Sequence, residues 1–516
     1  MIQRLLPFLV LAACLAAKPR NVVFLFSDDH ALSAISAYGP SHLSGFARTP
    51  NIDRLANEGM LFRNCFVHNS ICTPSRAGVL TGRHSHRNGV YTLADAIDPK
   101  RRHLAHFLRD AGYQTAVFGK WHLHTQPQGF DAWEVFRNQG DYENPLYLSA
   151  AHPNGRREQG YSEDISTQKA LNWLGARDPS KPFLLMLQFK APHRNWIPAP
   201  RHRGRFADAT LPEPPTLMDD HQGRSLALTR NGQTIGKDFR VRDDLKLSPP
   251  PGLKGPELRL WALRELGKRH GGLSEAQAAA ITEFDAALYR RWSYQQYAKD
   301  YVNTAQAVDD NVGRVLDWLK ASGLEENTVV VYSSDQGFYV GEHGLYDKRW
   351  MYEESQRMPL LIRAPGVAKP GSEAKAFAMN LDFAPTLLEL CGVAAPAGEA
   401  ERFDGRSLAP ILRGETPADW RDLVYYRYWE HNSGEHPVPG CYGIRTARFK
   451  LIHYHGKPLG MKAADPRPTE PEWELFDLEK DPQEMRSVYH DPAYAATRDE
   501  LKARLAAERA RIGDTR

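Results

Sequence analysis

Four short apolar runs, each stopped abruptly by polar or charged residues, constrain this chain more than anything else in it. They are Asn21–Phe26, Gln114–Phe118, Pro182–Phe189 and Thr328–Tyr332. A continuously apolar run bounded in this way reads as a strand buried on both faces, as in the parallel sheet of an α/β fold. Parallel strands bring their C-terminal ends to one edge, where open α/β sheets hold ligands. The residues directly after each run are therefore expected in one place: Ser27-Asp28-Asp29, Gly119-Lys120-Trp121-His122, Lys190-Ala191-Pro192-His193 and Ser333-Ser334-Asp335-Gln336.

The residue types at these ends belong to anion and cation chemistry. Adjacent carboxylates such as Asp28 and Asp29 repel unless a cation or proton intervenes. With Asp335 and the amide oxygen of Gln336 they can surround one hard cation, and calcium, which accepts longer and looser coordination, suits such a set better than magnesium. Taken alone, the Asp-Asp pair reads as a solvated turn. Lys120 and His122, two apart on an extended segment, face the same way. The lysine could then fix charge on an oxyanion while the histidine moves a proton. Pro192 restricts the loop that carries Lys190 and His193.

Between these strands lies Ile71-Cys72-Thr73-Pro74-Ser75-Arg76-Ala77-Gly78-Val79-Leu80-Thr81-Gly82-Arg83. It places a thiol at a helix N-terminus beside a guanidinium, a setting that lowers a thiol's pKa and suits anions. A buried structural cysteine before an ordinary helix is the plain alternative. The string as a whole resembles the signature of the type I sulfatases, Cys-x-Pro-Ser-Arg followed by Leu-Thr-Gly-Arg. Further segments are similar to that family: Thr49-Pro50-Asn51-Ile52-Asp53, Gly119-Lys120-Trp121-His122, and Gly341-Glu342-His343-Gly344 with Lys348 downstream. The order of elements is similar over nearly all of the chain.

The resemblance implies an α/β, alkaline-phosphatase-like fold: a large mixed sheet flanked by helices, with a smaller C-terminal α+β subdomain. It implies that a maturation enzyme oxidises Cys72 to formylglycine, whose hydrate attacks the sulfur of a sulfate monoester. Asp28, Asp29, Asp335 and Gln336 are implied as metal ligands, although Gln336 stands where the family often has Asn or His. Arg76, Lys120, His193 and Lys348 are implied to neutralise sulfate and serve the leaving oxygen. His122 is implied in breaking down the sulfated intermediate, and Lys190 lies beside His193 with a less defined role in binding substrate, while Glu342 and His343 are structural. Phe189–Trp196, Ser334–Phe338 and Gly341–Gly344 look most like bacterial glycan sulfatases acting on 6-sulfated N-acetylglucosamine. Two other readings share features of the chain: a formylglycine phosphonate monoester or phosphodiester hydrolase, and a sulfated-glycan-binding protein whose Cys72 stays unconverted.

The rest of the chain sets the frame. Sixty-six basic against 62 acidic residues are too nearly balanced to imply nucleic acid as a partner. Residues 1–17 read as a secretory signal peptide, too short to span a bilayer, so the protein is expected to be periplasmic or secreted. Leu11-Ala12-Ala13-Cys14 also reads as a lipobox in which Cys14 would carry the lipid. The four other cysteines, Cys65, Cys72, Cys391 and Cys441, make no disulfide framework, and at least one free thiol is expected. Residues 198–272 lack periodicity and read as a long insertion, a lid or substrate wall with a solvated charged face. Helical spacing resumes over Ser274–Leu319. Residues 18–412 are assigned to the catalytic domain and 413–516 to the C-terminal subdomain, whose loop from Tyr428 to Gly443 carries the sugar-binding candidates Glu430 and His436.

Overall fold

The computed structural model describes residues 20–398, 402–434 and 436–516. The signal peptide and the Cys14 lipobox lie outside the described residues. A ten-stranded mixed sheet runs in the order Ser372–Ala374, Met60–Phe62, Leu360–Arg363, Thr328–Ser334, Asn21–Ser27, Phe183–Gln188, Gln114–Gly119, Ala132–Phe136, Leu146–Ser149, Arg156–Arg157. The four apolar runs are its centre, and they pair in parallel. Their side chains alternate between two cores. Val22, Phe24 and Phe26 pack on one face with the helix Cys72–Thr81, while Val23 and Leu25 pack on the other against Val308, Val312 and Val315 of the long helix Ala286–Ala321.

Register fixes where the strand ends fall. Ser27 pairs with Ser334, Phe26 with Gln188, and Gly119 also with Gln188. Asp28, Asp335, Lys190 and Lys120 therefore leave the sheet within one or two residues of a common line, as parallel packing demands.

Several elements differ from what the residues suggest. Ala132–Phe136 and Leu146–Ser149, which follow the turn-rich stretches Gly129–Asp131 and Gly140–Pro145, are strands near one edge of the sheet, partly exposed along their length. The Ser274–Leu319 region is two helices. Ser274 closes a capping box with Gln277 on Glu275–Ala279, and Asp285 then caps the 36-residue helix by accepting from the amides of Ala287 and Leu288. The insertion contains the helix Gly255–His270 and has its own core around Trp196, Tyr297, Leu263 and Leu266. It is packed structure rather than a loose flap.

The C-terminal region is an antiparallel sheet of Leu423–Tyr428, Cys441–Thr446, Phe449–Tyr454 and Glu472–Asp477, with the helix Ala495–Ile512 on one face. Tyr426, Tyr428, Ile452, Tyr454 and Phe476 on its other face join the main core. Cys65, Cys72, Cys391 and Cys441 are all free thiols. Among the described residues no helix is long and apolar enough to cross a membrane.

Candidate active site

The helix Cys72–Thr81 is buried along its whole length, with Cys72 as its first residue. Gly78 lets it pass His68, whose imidazole a Cβ there would meet at 2.3 Å, and Gly82, in the left-handed region at φ 63°, ends it. The Gly residues of the signature thus serve packing and termination. Ser75 donates to the carbonyl of Asp335 and Arg76 to the carbonyl of Lys120 at 2.8 Å. These bonds tie the helix to two of the strand ends.

Cys72 Sγ lies 3.4 Å from Asp28 Oδ1 and 3.9 Å from Lys120 Nζ. Lys120 donates to Asp28, and Lys348 donates to both oxygens of Asp29 at 2.6 and 2.7 Å. Arg76 reaches Asp335 at 3.4 Å and Asp28 at 3.6 Å, and His193 Nε2 is 3.7 Å from Asp29. The amide of Asp29 donates to Asp335 at 3.1 Å. Asp29, His122, Asp347 and Arg349 all hold positive φ, 66°, 50°, 74° and 86°. Such backbone in non-glycine residues is uncommon and gathers at functional sites.

Charge and burial set the protonation states. Burial acts against the Asp28 carboxylate, but Lys120, His193 and Arg76 outweigh it and hold its pKa well below the usual range. Asp29 is pushed up to about 6 and Asp335 well above its ordinary value, by burial first and by neighbouring carboxylates where the cations fall short. His122 and His193 are both driven well below the usual imidazole range by burial and by Lys120. The Cys72 thiol is pushed up, by burial and then by Asp28. This corrects the expectation of a lowered pKa: the helix N-terminus is there, but Arg76 turns to Asp335 and Asp28, and the sulfur faces a carboxylate.

One ligand atom from each of Asp28, Asp29, Cys72 and Asp335 can be chosen so that all lie within 4.8 Å of one another. Gln336 Nε2 donates to Asp29 and to Asp335, leaving its Oε1 buried without a partner. Reversing that amide turns its oxygen toward the carboxylates, an assignment open for any such side chain. Three carboxylates and an amide oxygen are a donor set that fits a hard divalent cation.

The cavity above Cys72 has a volume of about 530 Å³ and is lined by Asp29, His193 and Lys348 among the expected residues, with Glu430 and His436 on its far wall. Glu430 accepts from the amide of Leu93 at 2.8 Å, and His436 Nδ1 sits 3.0 Å from Asp347. Burial and Arg349 take the His436 imidazole down to about 3, so it is neutral there. Of the other expected residues, Asp28, Arg76, Lys120, Asp335 and Gln336 belong to the buried cluster around Cys72 rather than to the lining, and Lys190 and His122 are held elsewhere. Lys190 donates to the carbonyl of Gln139 at 3.3 Å and lies over the Tyr142 ring, its pKa lowered to about 8 by burial and by Lys120. His122 reaches Thr73 Oγ1 at 3.5 Å. Lys120 and His122 do not share one extended segment, because His122 turns into the left-handed region and approaches the nucleophile helix from another side.

Gln139, Arg194, Arg240, Asp347 and Arg349 also line the cavity, and sequence reasoning missed them. Arg349 donates to Asp347, and Arg194 is held by Asp244 of the insertion at 2.7 Å. Arg240 comes from the insertion too, so that segment does wall the site, and its charges are not all solvated. No side-chain pattern marks Asp347 and Arg349: both flank Lys348, but they reach the cavity through left-handed backbone.

Comparison with known proteins gives the family and the fold. The sulfatase family model matches residues 20–393, and a model for the C-terminal part of N-sulphoglucosamine sulphohydrolase matches 341–511. An N-acetylglucosamine-6-O-sulfatase of Bacteroides thetaiotaomicron is 42% identical over 96% of this chain and 88% of its own length. The human N-acetylglucosamine-6-sulfatase is 28% identical over 81% of this chain and 70% of its own. The solved structure of BT4656 with its substrate D-glucosamine-2-N,6-O-disulfate superposes with a TM-score of 0.84 at 41% identity, covering 96% of this chain and 99% of that one. A phosphonate monoester hydrolase of Agrobacterium radiobacter shares the fold, with a TM-score of 0.66 at 21% identity over 96% of this chain and 97% of that one. The chain belongs to the sulfatase family of hydrolases.

Proposed function

We propose that this protein hydrolyses the 6-O-sulfate ester of N-acetylglucosamine in a sulfated glycan, after export and after conversion of Cys72 to formylglycine by a maturation enzyme. The observation that carries this reading is the placing of Cys72 between the Asp28, Asp29 and Asp335 cluster and the cations Lys120 and Lys348, under a cavity whose far wall is polar. The Bacteroides and human relatives supply the sugar and the position. In this reading residues 18–412 form the catalytic unit, and residues 413–516 close the cavity through Glu430 and His436.

Calcium, held by Asp28, Asp29, Asp335 and Gln336, would supply Lewis acidity, and the formylglycine hydrate would supply an oxygen nucleophile with a second hydroxyl to complete the cycle. The chain's own groups do the rest. Lys120, Lys348 and Arg76 place positive charge where the sulfate oxygens gather negative charge. His193 Nδ1 faces the carbonyl of Arg194 at 2.7 Å, so Nδ1 carries the hydrogen and Nε2 faces the site, where the imidazole, once protonated beside the bound sulfate's negative charge, gives its Nε2 proton to the leaving alcohol oxygen. His122, held neutral by burial and by Lys120, is the base for release of sulfate. Lys190 sets the charge behind the site from its place on Gln139. Glu430 and His436, with Asp347 and Arg349 beside them, meet the sugar hydroxyls.

The test is ion chromatography of matured protein given N-acetylglucosamine 6-sulfate, other sulfated sugars, aryl sulfates and phosphonate monoesters. Sulfate released preferentially from the 6-sulfated sugar is the expected result. Phosphonate hydrolysis in its place would move the chain to the rival chemistry.

A further inference from the structure

Two fully buried tyrosines stand one turn apart on the long helix Ala286–Ala321, and each donates its hydroxyl proton to a main-chain carbonyl outside the helix. Tyr297 donates to the carbonyl of Tyr339 at 2.6 Å. Tyr301 donates to the carbonyl of Asp29 at 2.6 Å and accepts from the amide of Ala31 at 2.8 Å. One hydroxyl thus closes the turn around His30 from both sides, with its proton and a lone pair in use.

Asp29 is the residue in that turn that needs holding. Its φ of 66° is a conformation that a non-glycine residue keeps only where its surroundings enforce it. That backbone carries the carboxylate that accepts from Lys348 at 2.6 and 2.7 Å and from Gln336. On the N-terminal side, the Asp29 amide is held by Asp335 at 3.1 Å, a carboxylate that belongs to the same cluster.

On the C-terminal side the hold comes from outside the cluster, through Tyr301. The Tyr301 ring stacks on Phe338, two residues past Gln336, with 5.7 Å between centroids and 8° between planes. His30 has bonds of its own to the sheet, its amide to Ser334 Oγ at 2.9 Å and its Nδ1 to the Tyr332 hydroxyl at 2.6 Å. Loss of the Tyr301 hydroxyl would leave the Asp29 carbonyl and the Ala31 amide buried without their partner, and the residue with room to relax is Asp29.

We propose that Tyr301 is a positioning residue for the reaction: through the Asp29 carbonyl it keeps Asp29 in its left-handed turn and so aims that carboxylate at the cation and at Lys348. The inference rests on the reading of Asp29 as a calcium ligand and goes beyond it, since Tyr301 acts from behind the ligands.

The test is calorimetric titration of calcium chloride into chelator-stripped wild type, Tyr301→Phe and Tyr297→Phe, with melting temperature and sulfate release measured beside it. Tyr301→Phe is expected to raise the calcium Kd about tenfold, the scale of one hydrogen bond to a buried group, and to lose kcat/KM at low calcium but regain it as calcium saturates. Tyr297→Phe gives up an equally buried hydroxyl on the same helix, so its melting temperature should fall as far while its calcium Kd stays at the wild-type value. An unchanged Kd in Tyr301→Phe, or the same rise in both variants, overturns the role. If the wild type binds no calcium, the metal reading fails, and the crystal structure of Tyr301→Phe decides the proposal by itself. Asp29 relaxed to negative φ, with its carboxylate withdrawn from Lys348, sustains it; Asp29 still in the left-handed region with that pair intact overturns it.

Discussion

Cys72 is buried against a carboxylate that discourages its ionisation, so the unmodified thiol makes a poor nucleophile at neutral pH. Protein made without the maturation enzyme is therefore expected to be inert, as are Cys72→Ala and Cys72→Ser, each down by about 10⁴-fold or more in kcat, the scale of losing a covalent nucleophile. Sulfate release, with the mass of the peptide spanning residues 64–76 as the check on conversion, measures this. Retained turnover in either variant would remove Cys72 from the reaction. The carboxylate cluster gives a second prediction at this scale. Chelation should abolish activity and lower the melting temperature, and calcium at a hundredfold excess over its dissociation constant should restore about 3 kcal/mol of stability. Scanning calorimetry with and without chelator reads it, and Asp335→Asn should blunt the response. Asp28, Lys120, His193 and Asp335 could be picked out in the sequence because each directly follows, or lies a few residues beyond, a strand whose apolar run is unmistakable. Asp347 and Arg349 could not, because their aim depends on left-handed backbone at both positions, and no side-chain pattern encodes that. The direction of the Cys72 shift was hidden for a related reason: it comes from burial first and then from Asp28, 44 positions away.

Among the buried groups through which the insertion meets the catalytic loops is His343. Its imidazole lies 3.0 Å from Asp219 of the insertion and 3.7 Å from Glu354, with the Arg224 guanidinium at 3.1 Å. Burial opposes its charge, but the two carboxylates outweigh burial and lift it to about 9. A histidine raised from 6.5 contributes stability that is fully present below about pH 6.5 and is lost as pH rises through about 9, a loss of about 3 kcal/mol. Urea unfolding at pH 6, 7.5 and 9.5 should show that decline. His343→Gln should start lower and flatten the curve, and an unchanged pH dependence in that variant would assign the decline to other groups. His343 reads from the sequence as structural, and it is. Its partners were not readable, since Asp219 and Arg224 lie in the segment where Pro and Gly mask any period. The helix Gly255–His270 hides there as well, because only Ala262, Leu263, Leu266 and Gly267 of its 16 residues are buried, too narrow a stripe for a hydrophobic pattern to register. The strand Ala132–Phe136 was hidden by half-exposure near the sheet edge, which erases the apolar run that marks the central strands.

At the scale of the molecule, the strand runs of the C-terminal sheet were legible and its attachment was not. Leu423–Tyr428 and Phe449–Tyr454 alternate in a way that serves two cores at once: Tyr425 and Leu451 meet the terminal helix, while Tyr426 and Ile452 belong to the main core. A sheet with one solvated face would show polar residues at alternate positions. Here both sets are largely apolar, Arg427, Lys450 and His453 apart, which is the signature of a sheet sandwiched between its own helix and a larger body. The chain end is locked by a buried pair. Arg427 donates to Asp514 and to the carbonyl of Arg516 and stacks 3.5 Å over Trp429, the residue that opens the loop carrying Glu430 and His436. Because the inner face of the small sheet is part of the main core, calorimetry is expected to give one unfolding peak for both regions. Arg427→Met leaves the Asp514 carboxylate buried without its guanidinium and should cost about 3–5 kcal/mol, shifting that peak down as a whole, and the further change Asp514→Asn should recover part of the loss. Two separate peaks, with only the smaller one moving in Arg427→Met, would show that the C-terminal sheet unfolds on its own and that the shared core does not couple it to the catalytic body.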